Sequence, residues 1–243
     1  MRKVALVPGG ARGIGRAIAQ ALASRDWDVA ICYRKSHDDA QIAVAAIEAS
    51  GGAALALPCD VSTPEACADL CEQVLAWRDS VDALVHCAGP FHRVDVLSET
   101  PDGWRAMFAN NLDSLFFLSR LVAPGMIEKR WGRILAFGMA NADRLMAQTQ
   151  ITAHYLAKVA LLGLIRSLAK ALAPSGITAN AISPGFIDSG SVDMAELAQM
   201  SKNIPAGRAG TVDDVVAAAM FLLSDEAGYV NGANLHVSGG WGI

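Results

Sequence analysis

The stretch from Val4 to Gly15, VALVPGGARGIG, constrains the chain more than any other. Lys3 to Val7 is a short, mostly apolar run ending at Pro8-Gly9-Gly10, the pattern of a buried parallel strand that closes in a turn. From Ile14 the apolar positions recur at Ala17, Ile18, Ala21 and Leu22, which is one stripe of a helix. A strand, a glycine turn and a helix start gather free backbone amides at the positive end of a helix dipole, where a pyrophosphate fits. The glycines are spaced Gly9-x-x-x-Gly13-x-Gly15, which is neither GxGxxG nor a P-loop ending in GK[ST].

The composition is unbroken, so a single dinucleotide-binding domain over residues 1–243 is expected, long enough to bury roughly 70 to 75% of its unfolded surface. The net charge is −4 with Lys and Arg scattered, which leaves no basic face for nucleic acid and no polybasic membrane anchor. Apolar stretches such as Ala217 to Leu223 fall far short of a membrane span, and Val4 to Val7 is too short for a signal-peptide core. A cytoplasmic protein without membrane or nucleic-acid partners is expected. Five cysteines with no CxxC argue against a disulfide framework and against a metal site. Cys67 and Cys71, one helical turn apart, are read as packing residues.

Asp28 to Tyr33 reads as the second strand, with Arg34-Lys35-Ser36 at the carboxyl end, where a dinucleotide's adenosine ribose would lie. No carboxylate for a ribose 2′-hydroxyl stands between Cys32 and Ser36, and Arg34, with Arg12 across the turn, suits a 2′-phosphate instead. Further strands are expected at Ala53 to Pro58, Val81 to Cys87, Gly132 to Gly138, Ile177 to Ser183 and within Asn231 to Gly240. Between them lie helices at Asp38 to Ser50, from Pro64, from Thr100-Pro101 onwards and at Thr152 to Ala173, and one after a Thr211 to Asp214 capping box. Strands alternating with helices predict an α/β fold: a Rossmann-like, doubly wound parallel sheet of about seven strands with helices on both faces.

The glycine spacing with Arg12 before Gly13, and the run KVALLGLIRSLAKALAPSGITANAISPG from Lys158 to Gly185, resemble the short-chain dehydrogenase/reductase family. The likeness spans the whole chain and is to the shorter, ketoreductase-like branch. It implies a cofactor, NADP(H) on the arginine argument, held by Gly9, Arg12, Gly13, Ile14 and Gly15 at the pyrophosphate and by Tyr33, Arg34 and Lys35 at the adenosine ribose. Asp60 and Val61 would flank the adenine, although Asp60 also reads as a helix cap before Pro64. Ala88 and Gly89 would let backbone approach the cofactor, Lys158 would hold the nicotinamide ribose, and Pro184, Gly185, Ile187 and Ser189 would clasp the nicotinamide. Asn111 matches an asparagine that bends a helix and holds a water in the proton path; unbonded among apolar residues, it would cost stability.

Three departures from the family pattern bear on chemistry. Strand four ends His86-Cys87-Ala88-Gly89 where the family has Asn-Asn-Ala-Gly, so His86 reads as a local structural substitute. The substrate-side serine is missing, its place falling on Met139 by one count and on Asn141 by another. The family sets a proton-donating Tyr four residues before the Lys; four before Lys158 is His154, and Tyr155 is three before. Helical angle favours His154. Electrostatics favours Tyr155, since a lysine cation lowers a phenol's pKa from about 10 towards neutral pH and makes imidazolium scarcer. Tyr155 reaches the place only where the first helical turn tightens.

Two functions fit: an NADP(H)-dependent oxidoreductase interconverting a carbonyl and an alcohol (a ketone or 3-oxoacyl-type reductase), or a catalytically altered member that binds NADP(H) or a partner subunit. A pterin substrate also stays open, because the family's pteridine reductases lack the same serine. Met139, Met146, Phe186, Met194 and Met200 point to an apolar pocket for a small carbonyl substrate, with a lid near residues 189–206. The helices carrying Asn111 and Lys158 have more apolar surface than one sheet face covers, and with the apolar closing segment this predicts a homo-oligomer, a tetramer.

Overall fold

A computed structural model describes residues 2–190 and 199–242. The elements run β1 (Lys3–Pro8), α1 (Gly13–Ala23), β2 (Trp27–Tyr33), α2 (His37–Ala49), β3 (Ala54–Pro58), α3 (Pro64–Arg78), β4 (Ala83–His86), α4 (Pro101–Phe108), a π turn (Ala109–Asp113) and α5 (Ser114–Lys129). They continue as β5 (Gly132–Phe137), α6 (Thr152–Leu172), β6 (Ile177–Pro184), two short strands β7 (Ile187–Asp188) and β8 (Gly210–Thr211), α7 (Val212–Leu223) and β9 (Asn234–Val237). Seven strands form one parallel sheet in the order β3-β2-β1-β4-β5-β6-β9, and β7 and β8 pair separately. The doubly wound sheet is the one the alternation of strands and helices predicts.

The central strands lack polar alternation because both their faces are covered. Val4 and Leu6 of β1 point into a core shared with α3, α5 and α6, while Ala5 and Val7 point into one shared with α1, α2 and α7. Helix starts follow local side-chain chemistry: Thr63, Thr100 and Thr211 each accept a backbone N–H three residues on, and Thr211 with Asp214 completes the capping box. The closing strand is shorter than the Asn231 to Gly240 segment that holds it. Asn231 spends its side chain on Ala179 N (2.8 Å) and the Ala169 carbonyl (3.2 Å), so regular pairing begins only at Asn234. All five cysteines are free, with Cys67 and Cys71 on the buried face of α3. Among the described residues no cluster of side chains is suited to a metal ion, and no helix is long and apolar enough to cross a membrane. Of the expected lid, residues 191–198, Met194 included, lie outside the described residues.

At the end of β4, His86 is buried with Nε2 2.8 Å from Ser114 Oγ. That hydroxyl gives its proton to the Asn110 carbonyl (2.9 Å), so the imidazole must donate from Nε2. Burial first, then the Lys158 charge, pushes its pKa from 6.5 down to about 3. The unfolded chain therefore takes up a proton that the folded chain refuses, and stability falls as pH drops below the unfolded value. His86→Asn should flatten the dependence of urea-unfolding free energy on pH between about 5 and about 6 by about 1.4 kcal/mol per pH unit. An unchanged slope would show that His86 is not one of the groups that titrate on unfolding.

Candidate active site

The carboxyl ends of β1 and β4 lie side by side where the strand order reverses, which in open α/β sheets opens a ligand crevice. Three glycines close the turn after β1. Gly9 has φ +79°, and a Cβ on it would stand 2.8 Å from the Cys87 and Ala88 backbone. Gly13 also needs a positive φ, +54°, and a Cβ on Gly15 would overlap the Gly9 carbonyl. Helix α1 then starts at Arg12 with no side-chain cap and no acid in its first turn, in contrast to α3, α4 and α7. Its amides are left for an anion, with Ile14 partly buried behind them. Ser189, just past β7, approaches this turn: its Cβ is 3.8 Å from where a Cβ of Gly13 would be. The cradle fits a diphosphate with a second segment across it.

At the carboxyl end of β2, Tyr33 is buried with its hydroxyl 2.8 Å from His37 Nδ1, and Arg12, Arg34 and Lys35 are exposed. The Arg34 guanidinium lies 3.7 Å from Asp60. Asp60 accepts from Ser62 N (3.1 Å), and it is Thr63, accepting from Ala66 N (3.3 Å), that caps α3. The cap reading of Asp60 is thereby corrected: the threonine stands directly before Pro64 and takes the role. Val61 is buried in the core.

The other end of the crevice is built on α6 and the π turn. Within that turn the backbone ladder slips, and the Asn110 and Asn111 amides bond back to the Ala106 (2.9 Å) and Met107 (3.0 Å) carbonyls. Asn111 also donates to the Pro90 carbonyl (3.2 Å), while its Oδ1 is buried without a partner. A Cβ on Gly89, beside Ala88, would overlap that oxygen and stand 3.4 Å from Lys158 Nζ. Lys158 is buried and donates to the Phe137 carbonyl (2.7 Å); burial draws its pKa down to about 8, opposed by Cys87. His154 sets Nδ1 3.2 Å from the same Pro90 carbonyl and its ring edge-on to Phe91 at 5.1 Å. Burial, then Lys158, lowers its pKa to about 4.

Tyr155 points elsewhere. Its hydroxyl donates to the Asn141 carbonyl (2.9 Å) and accepts from Met146 N (2.7 Å), pinning the loop after β5 to α6. The first turn of α6 is not tightened, since Tyr155 N bonds to the Ile151 carbonyl four residues back (2.8 Å). The condition for moving the phenol into the place four before Lys158 is therefore not met. Neither reading of the serine place supplies a hydroxyl. Met139 packs on the core, and Asn141, at φ +71°, turns its side-chain oxygen towards Gly242. Downstream of β6, Gly185 N bonds to the Val237 carbonyl (2.9 Å) and leaves no room for a Cβ against Ser238, fixing the course from Pro184 into Ile187. The Pro90 carbonyl and the Phe91 ring are the groups that sequence reasoning missed. The carbonyl carries no side-chain signal, and Phe91 followed a motif read only as far as Gly89.

A sequence model described as Enoyl-(Acyl carrier protein) reductase matches residues 9–242. The chain is 37% identical to the 3-oxoacyl-[acyl-carrier-protein] reductase FabG of Haemophilus influenzae, over 98% of this chain and 97% of that one. It is 36% identical to the acetoacetyl-CoA reductase of Shinella zoogloeoides, over 99% and 98% respectively. The structure of a short-chain dehydrogenase/reductase from Serratia marcescens superposes with a TM-score of 0.93 at 31% identity, covering 99% of this chain and 98% of that one. Acetoin dehydrogenase YohF from Salmonella typhimurium gives 0.91 at 30% identity, covering 99% and 96%. With relatives 36 and 37% identical over nearly the full length of both chains, and solved structures that superpose over 99% of it, the chain belongs to the short-chain dehydrogenase/reductase family.

Proposed function

We propose that the chain interconverts a carbonyl and an alcohol with NADP(H), taking a 3-oxoacyl thioester or a similarly small ketone as substrate. The observation that carries this reading is the buried Lys158, four residues from His154 and set against Gly89 and the unpartnered Asn111 Oδ1. A buried cation and a buried unpaired oxygen each cost stability, which favours a site that uses them over one that only binds. The relatives named for 3-oxoacyl, acetoacetyl and acetoin chemistry support a ketone over a pterin.

The nicotinamide, when bound, supplies or takes the hydride. The chain's own residues do the rest. The glycine turn and α1 amides hold the diphosphate, with Ser189 across them, and Lys158 holds the ribose and places positive charge beside the reacting oxygen. Asn111 Oδ1 accepts from a water on the proton path, and His154 exchanges the substrate proton. Exposed Phe91 stands edge-on to the His154 ring and favours an apolar substituent there. Acetoacetyl-CoA with NADPH, followed by nicotinamide absorbance, tests the activity; binding of NADPH without turnover of any small ketone would favour the non-catalytic reading.

Arg34 carries the cofactor choice. A charge-assisted hydrogen bond contributes about 1.5 to 3 kcal/mol, and because Arg34 must loosen from Asp60, the lower end applies. Arg34→Ala should weaken NADPH about tenfold and leave NADH unchanged in a titration of both, and equal affinities in the unaltered protein would overturn the assignment.

The split between His154 and Tyr155 is read from turnover. His154→Gln should lower kcat by about a hundredfold or more, the scale of general acid–base catalysis. Tyr155→Phe should cost less than about tenfold in kcat and lower the urea midpoint, through two lost backbone bonds. The reverse ranking would return the proton to the phenol.

The assembly is proposed to be a tetramer. Trp104 on α4, Phe116, Leu121 and Ile127 on α5 and Leu156 on α6 are exposed, the kind of surface that second copies cover. Light scattering at micromolar concentration should give a multiple of 25.4 kDa, and a monomer would reject the assembly.

A further inference from the structure

We infer that His154 is locked as the tautomer that carries its proton on Nδ1, so that the neutral ring offers substrate a bare Nε2 and works as a base in alcohol oxidation. The inference rests on the proposed carbonyl–alcohol chemistry and goes further, fixing which nitrogen handles the proton and in which direction the neutral ring serves. A carbonyl oxygen only accepts, so the 3.2 Å approach of Nδ1 to the Pro90 oxygen requires the proton to be on Nδ1. The acceptor is itself held in place, because Asn111 donates to it from the π turn at 3.2 Å. Phe91, the next residue, meets the ring edge-on and limits its rotation. Among the described residues no hydrogen bond reaches Nε2, which leaves that nitrogen for a ligand.

The surroundings disfavour a second proton. Lys158 approaches along the same helix, and His92 from the segment after β4, where Glu99 binds it at 2.7 Å. Burial acts in the same direction, and only the Pro90 carbonyl favours the cation.

In oxidation, the alcohol O–H bond breaks and its proton passes to Nε2. The carbon's hydrogen leaves with its electron pair to the oxidised nicotinamide, the carbonyl forms, and the ring becomes imidazolium. Reduction is the reverse and must begin with imidazolium. Because reduction consumes a proton, the ratio of reduction to oxidation rates falls about tenfold per pH unit whatever the mechanism. The tautomer decides which direction carries that dependence. With a neutral imidazole base, oxidation is flat above the ring's pKa and reduction carries all of it. With a neutral phenol donor, reduction is flat and oxidation carries it.

The direct test needs neither cofactor nor substrate. Long-range nitrogen–proton correlation NMR on protein labelled with nitrogen-15 histidine, with the His154 signal identified by its loss in His154→Gln, should show a protonated Nδ1 and a bare Nε2 at neutral pH. The ring should remain neutral at about pH 5.5, below the ordinary histidine pKa. A proton on Nε2, or a ring charged at about pH 6.5, overturns the inference even where carbonyl–alcohol activity is present.

Kinetics with acetoacetyl-CoA and 3-hydroxybutyryl-CoA form the second arm. Between about pH 6 and about pH 7, below the Lys158 value of about 8, the kcat/KM of reduction should fall about tenfold while that of oxidation stays level, and His154→Tyr should move the slope to oxidation. A slope on oxidation in the unaltered enzyme overturns the inference while leaving the proposed activity intact. Absence of both activities overturns the proposed function, and the NMR result still decides the tautomer.

Discussion

The close approach of Gly9 to the Cys87–Ala88 peptide is the constraint on which the crevice depends. A hydrogen in place of a side chain lets the end of β1 lie against the end of β4, and the sheet reverses its order at that contact. From there the chain turns through Gly13 and Gly15 into α1 with its amides uncapped, while β4 runs through Ala88 and Gly89 to the Pro90 carbonyl. The glycine turn and the acceptor for His154 thus hang on the same two strand ends. A methyl group at position 9 would force both apart.

The fold was legible because it is written in short-range periodicity. Apolar runs bounded by Pro and Gly mark the buried strands, and Thr63, Thr100 and Thr211 mark helix starts through bonds spanning three residues. The candidate site was legible where it depends on spacing along one helix, as for His154 and Lys158. It was not legible where backbone from a distant segment decides a side chain's direction. From the sequence the Tyr155 hydroxyl reads as free to face Lys158, yet the loop at Asn141 and Met146 takes both of its hydrogen-bonding capacities. Asp60 lies three residues before Thr63, too far from the helix start to cap it, and the pairing of Asp60 with Arg34 joins two loops that no local pattern connects.

The side chains around Lys158 form one connected set. His154 lies one helical turn from the buried lysine and sets Nδ1 against the Pro90 carbonyl. The Tyr155 phenol is a strut for the loop after β5, whose Asn141 in turn lies against Gly242. His86 bonds to Ser114, which anchors the π turn through Asn110.

On the proposed function, the ion pair between Arg34 and Asp60 makes cofactor selection an exchange of partners. In its resting state the guanidinium already has an anion 3.7 Å away, so its orientation is set in advance and part of its attraction is spent. On the proposed reading, a 2′-phosphate succeeds by offering more charge than one carboxylate, whereas a bare ribose hydroxyl leaves the resident pair undisturbed. Discrimination is then the difference between two attractions to one cation. Both partners are about half exposed, so dissolved ions act on each of them and that difference narrows as ionic strength rises.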